Sequence, residues 1–172
     1  MKPLLQTARL DLYNCKSLIT SRNSAAIITG ILTPDTAAFL PEDWQTRPDA
    51  NHAFDWLNNK LIESEIYLAL PKGTINQASL KLQNVPLGLF IFHIEQSIAH
   101  IGYLINEQYW HQGYGTELLF GCLAYLRTQS LAKTVYAGVD PNNLGSVRTL
   151  EKCNFQIVSN DAQKNTFYTL HL

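Results

Sequence analysis

The sequence has few cysteines and no paired cysteine spacing. Its 172 residues include only Cys15, Cys122 and Cys153, which lie far apart and form no CxxC motif. An odd number of isolated cysteines argues against a disulfide framework and supplies no ligand set for a structural zinc ion. We therefore expect a reduced, cytoplasmic protein without a bound metal.

Charge of one sign and long apolar runs are also missing. The 13 basic and 14 acidic residues leave a formal net charge of -1. The chain therefore has no net positive charge to attract a nucleic acid. No apolar run reaches the roughly 18 residues of a membrane span, and the first residues lack the apolar core of a signal peptide. No repeat or linker interrupts the chain. We expect residues 1–172 to form one domain that binds neither nucleic acid nor membrane.

Hydrophobic periodicity predicts a mixed order of strands and helices. The N-terminal part is expected to hold a strand over 9–13, a helix capped by Ser17 that reaches Leu32, turns at Pro34 and Pro41, and a helix over 51–64. Further strands are predicted over 66–70, 85–95, 98–105, 134–139, 155–158 and 166–170, and further helices over 117–127 and from the Pro141-Asn142-Asn143 cap to just before Phe155. A central sheet with helices on both faces accommodates this order.

The clearest strand pair is predicted on either side of Gln96-Ser97. If these two residues form a two-residue hairpin turn, His93 faces His100 and Phe92 faces Ile101. The same register places an apolar set on the core side of the sheet: Phe90, Phe92, Ile101, Tyr103 and Ile105.

The most informative run extends from Tyr103 to Glu117, where a strand ends, a short loop follows and Gly113-Tyr114-Gly115 opens a long amphipathic helix. Glycine lets the backbone approach a ligand closely, and the unpaired N–H groups of the first helical turn favour an anion such as phosphate. Turns and tight packing also use such glycine pairs, so that alternative stays open. Neither common nucleotide fingerprint fits, because Leu118 stands where a third glycine would be and no GK[ST] is present.

A second segment gives the anion site a context. Asn143 and Ser146 form an Asn-x-x-Ser pattern, which Leu150-Glu151-Lys152 follows. Together with the Gly-x-Gly run and the early Thr7-Ala8-Arg9-Leu10, this pattern resembles the GNAT N-acetyltransferase superfamily, and more closely its ribosomal-protein-alanine acetyltransferase-like branch. The resemblance covers nearly the whole chain in order.

Two positions depart from the family pattern. Trp110 stands where Arg or Gln is usual, and Asn154 stands where glycine is usual. We expect Asn154 to end a helix in the left-handed conformation, which Asn tolerates best among residues with a side chain. Neither change touches the backbone that would bind phosphate.

The resemblance implies a mixed α/β fold: a central, mostly antiparallel, twisted sheet with helices on both faces and strands splayed at the acetyl-CoA site. It implies an acetyl-CoA-dependent N-acetyltransferase in which a primary amine, of a protein N-terminus or a small molecule, attacks the thioester directly. A non-catalytic acyl-CoA-binding or sensor domain on the same scaffold is the alternative, because the usual carboxylate base is missing. A longer acyl group and a homodimer are left open.

The resemblance also implies where the acyl donor binds. The splayed strand end would present backbone N–H groups to the acetyl carbonyl, the helix-opening loop would cradle the pyrophosphate, and the Asn-x-x-Ser pattern would border the pantetheine arm. The residues carried over for cofactor binding are Leu104, Ile105, Asn106, Gln112, Gly113, Tyr114, Gly115, Thr116, Asn143 and Ser146.

Two side chains are candidates for catalysis. His100 stands two residues before Gly102-Tyr103, where relatives often carry a carboxylate, and imidazole titrates near neutrality as a general base must. Its alternative is pairing with His93 on a partly solvated sheet face, and no third ligand is apparent for a metal on that pair. Ser146 is the candidate acid at the sulfur, and its alternative is an ordinary first-turn serine.

Three other residues that could suggest function are interpreted as structural or left open. Cys153 lies late in a helix with no paired histidine nearby in sequence, which favours packing over nucleophilic catalysis. Trp44 and Trp56 could line an acceptor groove, but core packing is the preferred interpretation.

Overall fold

The strands form one sheet in the part of the chain that the structure, a computed structural model, describes: residues 2–75, 86–160 and 165–172. The strands are β1 (Leu5–Gln6), β2 (Leu10–Asn14), β3 (Glu65–Pro71), β4 (Gly88–Glu95), β5 (Ile98–Ile105), β6 (Thr134–Val139), β7 (Gln156–Asn160) and β8 (Thr166–His171). Their spatial order is β1-β2-β3-β4-β5-β6-β8-β7. Every neighbouring pair is antiparallel except β5 and β6, which run parallel. The predicted mixed α/β class with a mostly antiparallel sheet is confirmed.

Helices cover both faces of this sheet, as predicted. They are α1 (Cys15–Leu18), α2 (Ser24–Ile31), α3 (Pro34–Ala37), α4 (Glu42–Gln45), α5 (Ala53–Glu63), α6 (Tyr114–Thr128) and α7 (Leu144–Lys152), with a 3-10 turn at Glu107–Tyr109. One apolar cluster packs α6 and α7 against the sheet through residues such as Leu118 and Leu150. A second cluster packs α2 and α5 against the opposite face, through residues such as Ile28 and Leu57.

The hairpin of β4 and β5 has the predicted register. His93 pairs with His100 and Phe92 with Ile101, and the turn residues Gln96 and Ser97 both have positive φ, of 48° and 68°. Such angles match the right-handed twist of the flanking strands. The predicted core-side residues pack in the α6 cluster. Position 85, where the sequence pattern begins this strand, lies outside the described residues, and β4 begins at Gly88.

The long helix predicted from Ser17 to Leu32 is wrong, because the chain leaves the helix between α1 and α2. Asn14, not Ser17, caps α1 by accepting a hydrogen bond from the Lys16 N–H. Asn23 then breaks the helix, since its side chain accepts from the Thr20 N–H at 2.7 Å and donates to the Leu18 carbonyl at 2.8 Å. Asparagine side chains that bond to nearby backbone compete with helical hydrogen bonds.

The two prolines predicted as turns begin short helices instead. Pro34 occupies the first turn of α3, where its missing N–H costs nothing, and Thr33 and Thr36 form a capping box around it. Pro41 is the residue before α4. These helices cover the chain between α2 and α5 and bring α3 to the end of β5.

In the described residues, none of the helices has both the length and the apolar character required to cross a bilayer.

We predict that Ser24→Ala stabilises the protein. Ser24 is fully buried at the start of α2, and its hydroxyl has no hydrogen-bond partner among the described residues. A buried unsatisfied hydroxyl costs about 1–3 kcal/mol, so its removal should raise the free energy of unfolding by about 1 kcal/mol in urea denaturation.

Thr36→Val is the matched control, because it deletes a buried hydroxyl that donates to the Ile31 carbonyl. It should lower the free energy of unfolding by about 1–2 kcal/mol. A loss of stability in Ser24→Ala comparable to that in Thr36→Val would show that the Ser24 hydroxyl is satisfied after all.

Candidate functional site

The site begins where β5 and β6, the one parallel pair among the described strands, separate. Strand β5 pairs with β4 along its whole length, from Ile98 to Ile105. Its pairing with β6 covers three positions and ends at the pair of His100 and Tyr136. Beyond that pair the β6 side of β5 has no ladder, so its last residues can offer backbone groups to a ligand.

A cleft of about 660 Å³ lies at this opening. Its walls come from the end of β5, the loop into α6, the first turns of α7, and α3 with the residues after it. The residues that line it include Tyr103, Leu104, Ile105, Gly113, Tyr114, Gly115, Thr116, Asn143, Ser146, Arg148, Thr149 and Lys152.

The first turn of α6 faces this cleft. Gly113 stands before Tyr114 with a φ of 81°, a left-handed conformation that favours glycine. The first bond of the helix runs from the Glu117 N–H to the Gly113 carbonyl at 3.1 Å. The N–H groups of Tyr114, Gly115 and Thr116 therefore precede the helical ladder, at the positive end of the α6 dipole. This geometry suits an anion.

Gly115 keeps the cleft open beside that turn. A Cβ added there would lie 3.5 Å from the Thr149 hydroxyl of α7 and 3.7 Å from Cγ1 of Ile105. These are ordinary contact distances, so the protein itself would tolerate a methyl group. Because glycine has no side chain, a phosphate could approach the backbone of this turn closely.

The segment between β1 and β2 holds the start of α6 in place. Glu117 accepts hydrogen bonds from the Thr7 hydroxyl at 2.6 Å, the Arg9 backbone N–H at 2.7 Å and the Arg9 Nε at 2.6 Å. The Arg9 guanidinium also lies 3.9 Å from the Tyr114 ring centre and donates to the Gln112 carbonyl at 3.2 Å. The Thr-x-Arg-Leu segment therefore fixes the loop.

These bonds set the charge state of Glu117. Burial on its own raises the pKa of the carboxyl, but the hydrogen bonds from Thr7 and Arg9 outweigh it and hold the pKa below its ordinary value of 4.5. The carboxylate is charged at neutral pH and keeps Arg9 against the loop.

The other end of the loop is held by Trp110 and Asn106. The Trp110 indole donates to the Ile105 carbonyl at 2.6 Å, which gives the family departure at this position a structural role. Asn106 is buried; its side chain donates to the Gly30 carbonyl at 2.8 Å and its backbone N–H donates to the Leu87 carbonyl at 2.8 Å. Asn106 does not line the cleft and its N–H is already bonded. Asn106 therefore connects the loop to α2.

Gln112 lies outside the cleft wall as well. Its carbonyl accepts from Arg9, and its side chain donates to the Gln108 carbonyl at 3.1 Å. The structure therefore brings eight of the ten residues predicted to bind the cofactor to the cleft and leaves Asn106 and Gln112 behind it. A cofactor role for each of them stays a prediction.

Helix α7 forms the opposite wall. Asn143 caps this helix, because its side chain accepts from the Ser146 N–H at 3.1 Å. Ser146 is half-buried, and its carbonyl accepts from the Tyr103 hydroxyl at 3.2 Å. Burial raises the pKa of the Tyr103 phenol well above its ordinary value, so Tyr103 stays protonated and can donate to Ser146. Tyr103 thus ties the free end of β5 to α7.

The cationic side chains of this wall were not predicted from the sequence. Arg148 and Lys152 both line the cleft, with Thr149 beside them. Their positions, with Gly145, follow the three- and four-residue spacing of one helical face, and that spacing is the signal that could have found them. They give the cleft local positive charge despite the near-neutral chain.

His100 lies apart from the cleft lining. The β5 residues Ala99, Ile101 and Tyr103 face α6, so alternation puts His100 on the opposite face. Its ring stacks on that of His93 with centroids 4.7 Å apart and contacts Tyr136 edge-on at 5.5 Å. His100 is nevertheless the last β5 residue before the ladder with β6 ends. Its pairing with His93 is observed, and its catalytic role stays a prediction.

The residues interpreted as structural are buried or packed. Burial raises the pKa of the Cys15 thiol to about 12 and that of Cys153 to about 11, so neither is a thiolate at neutral pH. Trp44 and Trp56 meet edge-on at 5.2 Å and pack against the α2 and α5 cluster. Their core interpretation agrees with this geometry.

We predict that Glu117→Gln lowers stability in a pH-dependent way. At pH 7 the loss should be about 1 kcal/mol, since Arg9 is 44% exposed and water screens the ion pair. The native pKa is lowered, so the stabilisation by Glu117 is complete above pH 4.5 and is lost as the pH falls through the native value. Urea unfolding of both proteins between pH 3 and 8 measures the difference.

Glu65→Gln is the matched control for this variant. Glu65 forms an ion pair with Lys16 at 3.5 Å, and both side chains are about half exposed. Its loss should change the free energy of unfolding by less than about 0.5 kcal/mol. A wild-type advantage over Glu117→Gln that does not shrink in acid would contradict the assignment of a charged Glu117.

Comparison with known proteins identifies a matching family and solved structures with the same fold. An acetyltransferase (GNAT) domain model matches residues 20–156. No curated protein matches the chain in sequence. Among solved structures, a GNAT family acetyltransferase from Bacillus anthracis superposes with a TM-score of 0.73 at 16% identity, over 97% of both chains.

Two ribosomal-protein acetyltransferases also share the fold. A ribosomal L7/L12 alpha-N-protein acetyltransferase in complex with coenzyme A has a TM-score of 0.76 at 14% identity, over 96% of both chains. The ribosomal-protein-S5-alanine acetyltransferase from Vibrio fischeri has a TM-score of 0.67 at 13% identity, over 96% of this chain and 94% of that one. With the family model covering most of its length, the chain belongs to the GNAT acetyltransferase family.

Proposed function

We propose that this protein is an acetyl-CoA-dependent N-acetyltransferase that acetylates a primary amine by direct attack on the thioester. The observation that carries the proposal is the first turn of α6, which faces a cleft at the gap between β5 and β6. A protein N-terminus is the favoured acceptor, because two proteins with this fold are ribosomal-protein acetyltransferases. A small-molecule amine is the other acceptor class.

The cleft fits the acyl donor at both ends. The N–H groups of Tyr114, Gly115 and Thr116 suit the pyrophosphate, and Arg148 and Lys152 add positive charge along the same cleft. The unpaired edge of β5 at Leu104 and Ile105 suits the amides of the pantetheine arm. Acetyl-CoA, when bound, supplies an acetyl group activated as a thioester.

Each catalytic role is assigned to a group of this chain. Backbone N–H groups on the unpaired side of β5, beside Ile105, stabilise the negative charge that develops on the carbonyl oxygen. His100, on the opposite face at the end of the β5–β6 ladder, takes a proton from an amine that enters from that side. The Ser146 hydroxyl donates a hydrogen bond to the sulfur and stabilises the thiolate that leaves as the C–S bond breaks and the C–N bond forms.

The absent carboxylate favours one competing function. His100 replaces the acidic residue that relatives often carry and already stacks on His93, which suits a non-catalytic acyl-CoA-binding or sensor domain. Release of free thiol from acetyl-CoA with a panel of peptides and small amines separates the two functions. Tight CoA binding without turnover on any acceptor would favour the sensor, and a melting temperature unmoved by millimolar CoA would contradict both.

We predict that Gly115→Ala weakens CoA binding by at least about tenfold. The methyl group would lie on the first turn of α6, beside Thr149 and Ile105, and keep the phosphate from the α6 N–H groups. Loss of one charge-assisted hydrogen bond of about 1.5–3 kcal/mol corresponds to a tenfold or greater change. Isothermal titration calorimetry with CoA measures the affinity.

The stability of the same variant is its control. Alanine favours a helix over glycine by about 0.5–1 kcal/mol, so the free energy of unfolding should stay equal or rise. Unchanged CoA affinity in this stably folded variant would show that the phosphate binds elsewhere.

We predict that His100→Ala lowers kcat/KM by about 100-fold or more at neutral pH, because a general base usually contributes that much. The affinity for CoA should not change, since His100 lies outside the cleft lining. Initial rates of thiol release across pH 6–9, with a chelator present, measure the effect.

His171→Ala is the matched control on the same sheet face. His171 is exposed, and its Nδ1 lies 3.2 Å from the Thr134 hydroxyl. This variant should retain wild-type rates. A His100→Ala protein within about threefold of wild type would rule out His100 as the base.

A further inference from the structure

A histidine pair and a carboxylate share one face of the β4–β5 hairpin. His93 and Glu95 are two residues apart on β4, so their side chains lie on the same side of the sheet. His100 is the cross-strand partner of His93 and shares that side. Helices α2 and α5 pack on the same face farther along the sheet, where they cover strand residues such as Ile66, Leu68 and Leu89.

The three side chains are close together and free to bind. Their ligand atoms, one ring nitrogen from each histidine and one carboxylate oxygen, all lie within 4.8 Å of one another. The two imidazole planes are 6° from parallel. In the described parts of the chain, none of the three side chains forms an ion pair or a hydrogen bond. His93 and Glu95 are exposed, and His100 is half-buried.

The hairpin fixes these groups before any ion arrives. Both strands are in a continuous ladder from Gly88 to Glu95, and the two-residue turn sets the register. A tetrahedral ion with bonds of about 2.0–2.2 Å needs ligand atoms about 3.3 Å apart. Side-chain rotation alone can close the remaining distance.

We propose that His93, Glu95 and His100 bind a divalent transition-metal ion, with Zn²⁺ the best fit. Two neutral imidazoles and one carboxylate are ligands that zinc accepts, with a fourth position left to water. Mg²⁺ and Ca²⁺ prefer all-oxygen sites and should not compete. The sequence predicted no metal site because no third ligand was apparent beside His93 and His100. Glu95 is that third ligand.

One consequence rests on the proposed function. If His100 is the base, a bound ion takes the nitrogen lone pair that would accept the proton of the amine. Zn²⁺ should then inhibit acetyl transfer while CoA binding, on the other side of β5, is unaffected. The site would act as a metal-sensitive switch on the acceptor side.

The test is a Zn²⁺ titration of the full chain against a chromophoric chelator. Wild-type protein should bind one ion, and His93→Ala and Glu95→Gln should each weaken binding by at least about tenfold, since even outer partners of ligands contribute that much. The matched control is His52→Ala, because His52 is an exposed histidine paired with Asp49 at 2.7 Å but with no second histidine. It should bind as wild type does.

Two outcomes would overturn the metal site: equal affinity in wild type, His93→Ala and Glu95→Gln, or loss of binding in His52→Ala. Co²⁺ adds a readout that is independent of activity, since its visible spectrum should indicate nitrogen and oxygen ligands without thiolate. Metal binding without turnover on any amine would leave the site standing and reject the proposed function. Turnover without metal binding would reject the site alone.

Discussion

Strand β5 is paired along its whole length on one side and over only three residues on the other, and the rest of the site depends on this asymmetry. A parallel pair needs a crossover connection, which here contains α6. The start of α6 lies beside the free end of β5, where the added Cβ of Gly115 would contact Ile105. The Tyr103 hydroxyl bonds to α7 at Ser146 instead of to a strand. The gap is therefore occupied by two helix starts, and the cleft lies between them.

The proposed anion site at this gap is built from backbone, and distant side chains set its position. Glu117 joins the first turn of α6 to Thr7 and Arg9, more than a hundred residues earlier in the chain. Asn106 joins the other end of the loop to α2. A near-neutral protein can bind an anion in this way without a charged surface, because the dipole and N–H groups are local. Arg148 and Lys152 supplement them.

Sequence patterns predicted the elements whose stability is local. The hairpin register followed from its two-residue turn, and Asn154 ends α7 with a φ of 64°, as expected for an asparagine in a glycine position. The break between α1 and α2 was missed because Asn23 bonds to the backbone on both sides of it, and apolar periodicity does not report such bonds. The short helices after Pro34 and Pro41 were missed because proline serves turns and helix starts alike.

The site was predictable to a similar degree. The Gly-x-Gly run and the Asn-x-x-Ser pattern located two walls of the cleft, since each opens a helix. The clamp of Arg9 on Glu117 joins groups more than a hundred residues apart. The indole bond of Trp110 depends on the conformation of the loop after β5, and the third group beside the histidine pair depends on how side chains lie across the β4–β5 hairpin. Such contacts have no spacing signature in the sequence. The helical spacing of Arg148 and Lys152 would have predicted that they share one face of α7, and with it the cationic wall of the cleft.

We propose that the first turn of α6 binds the diphosphate of CoA beside the free end of β5. Hydrogen–deuterium exchange with and without CoA tests it most directly, because it reports the backbone N–H groups themselves. If CoA binds there, the amides of Tyr114, Gly115 and Thr116 and those at the end of β5 should exchange more slowly. The amides of α5 should not change. Protection confined to other segments, or none at saturating CoA, would contradict it.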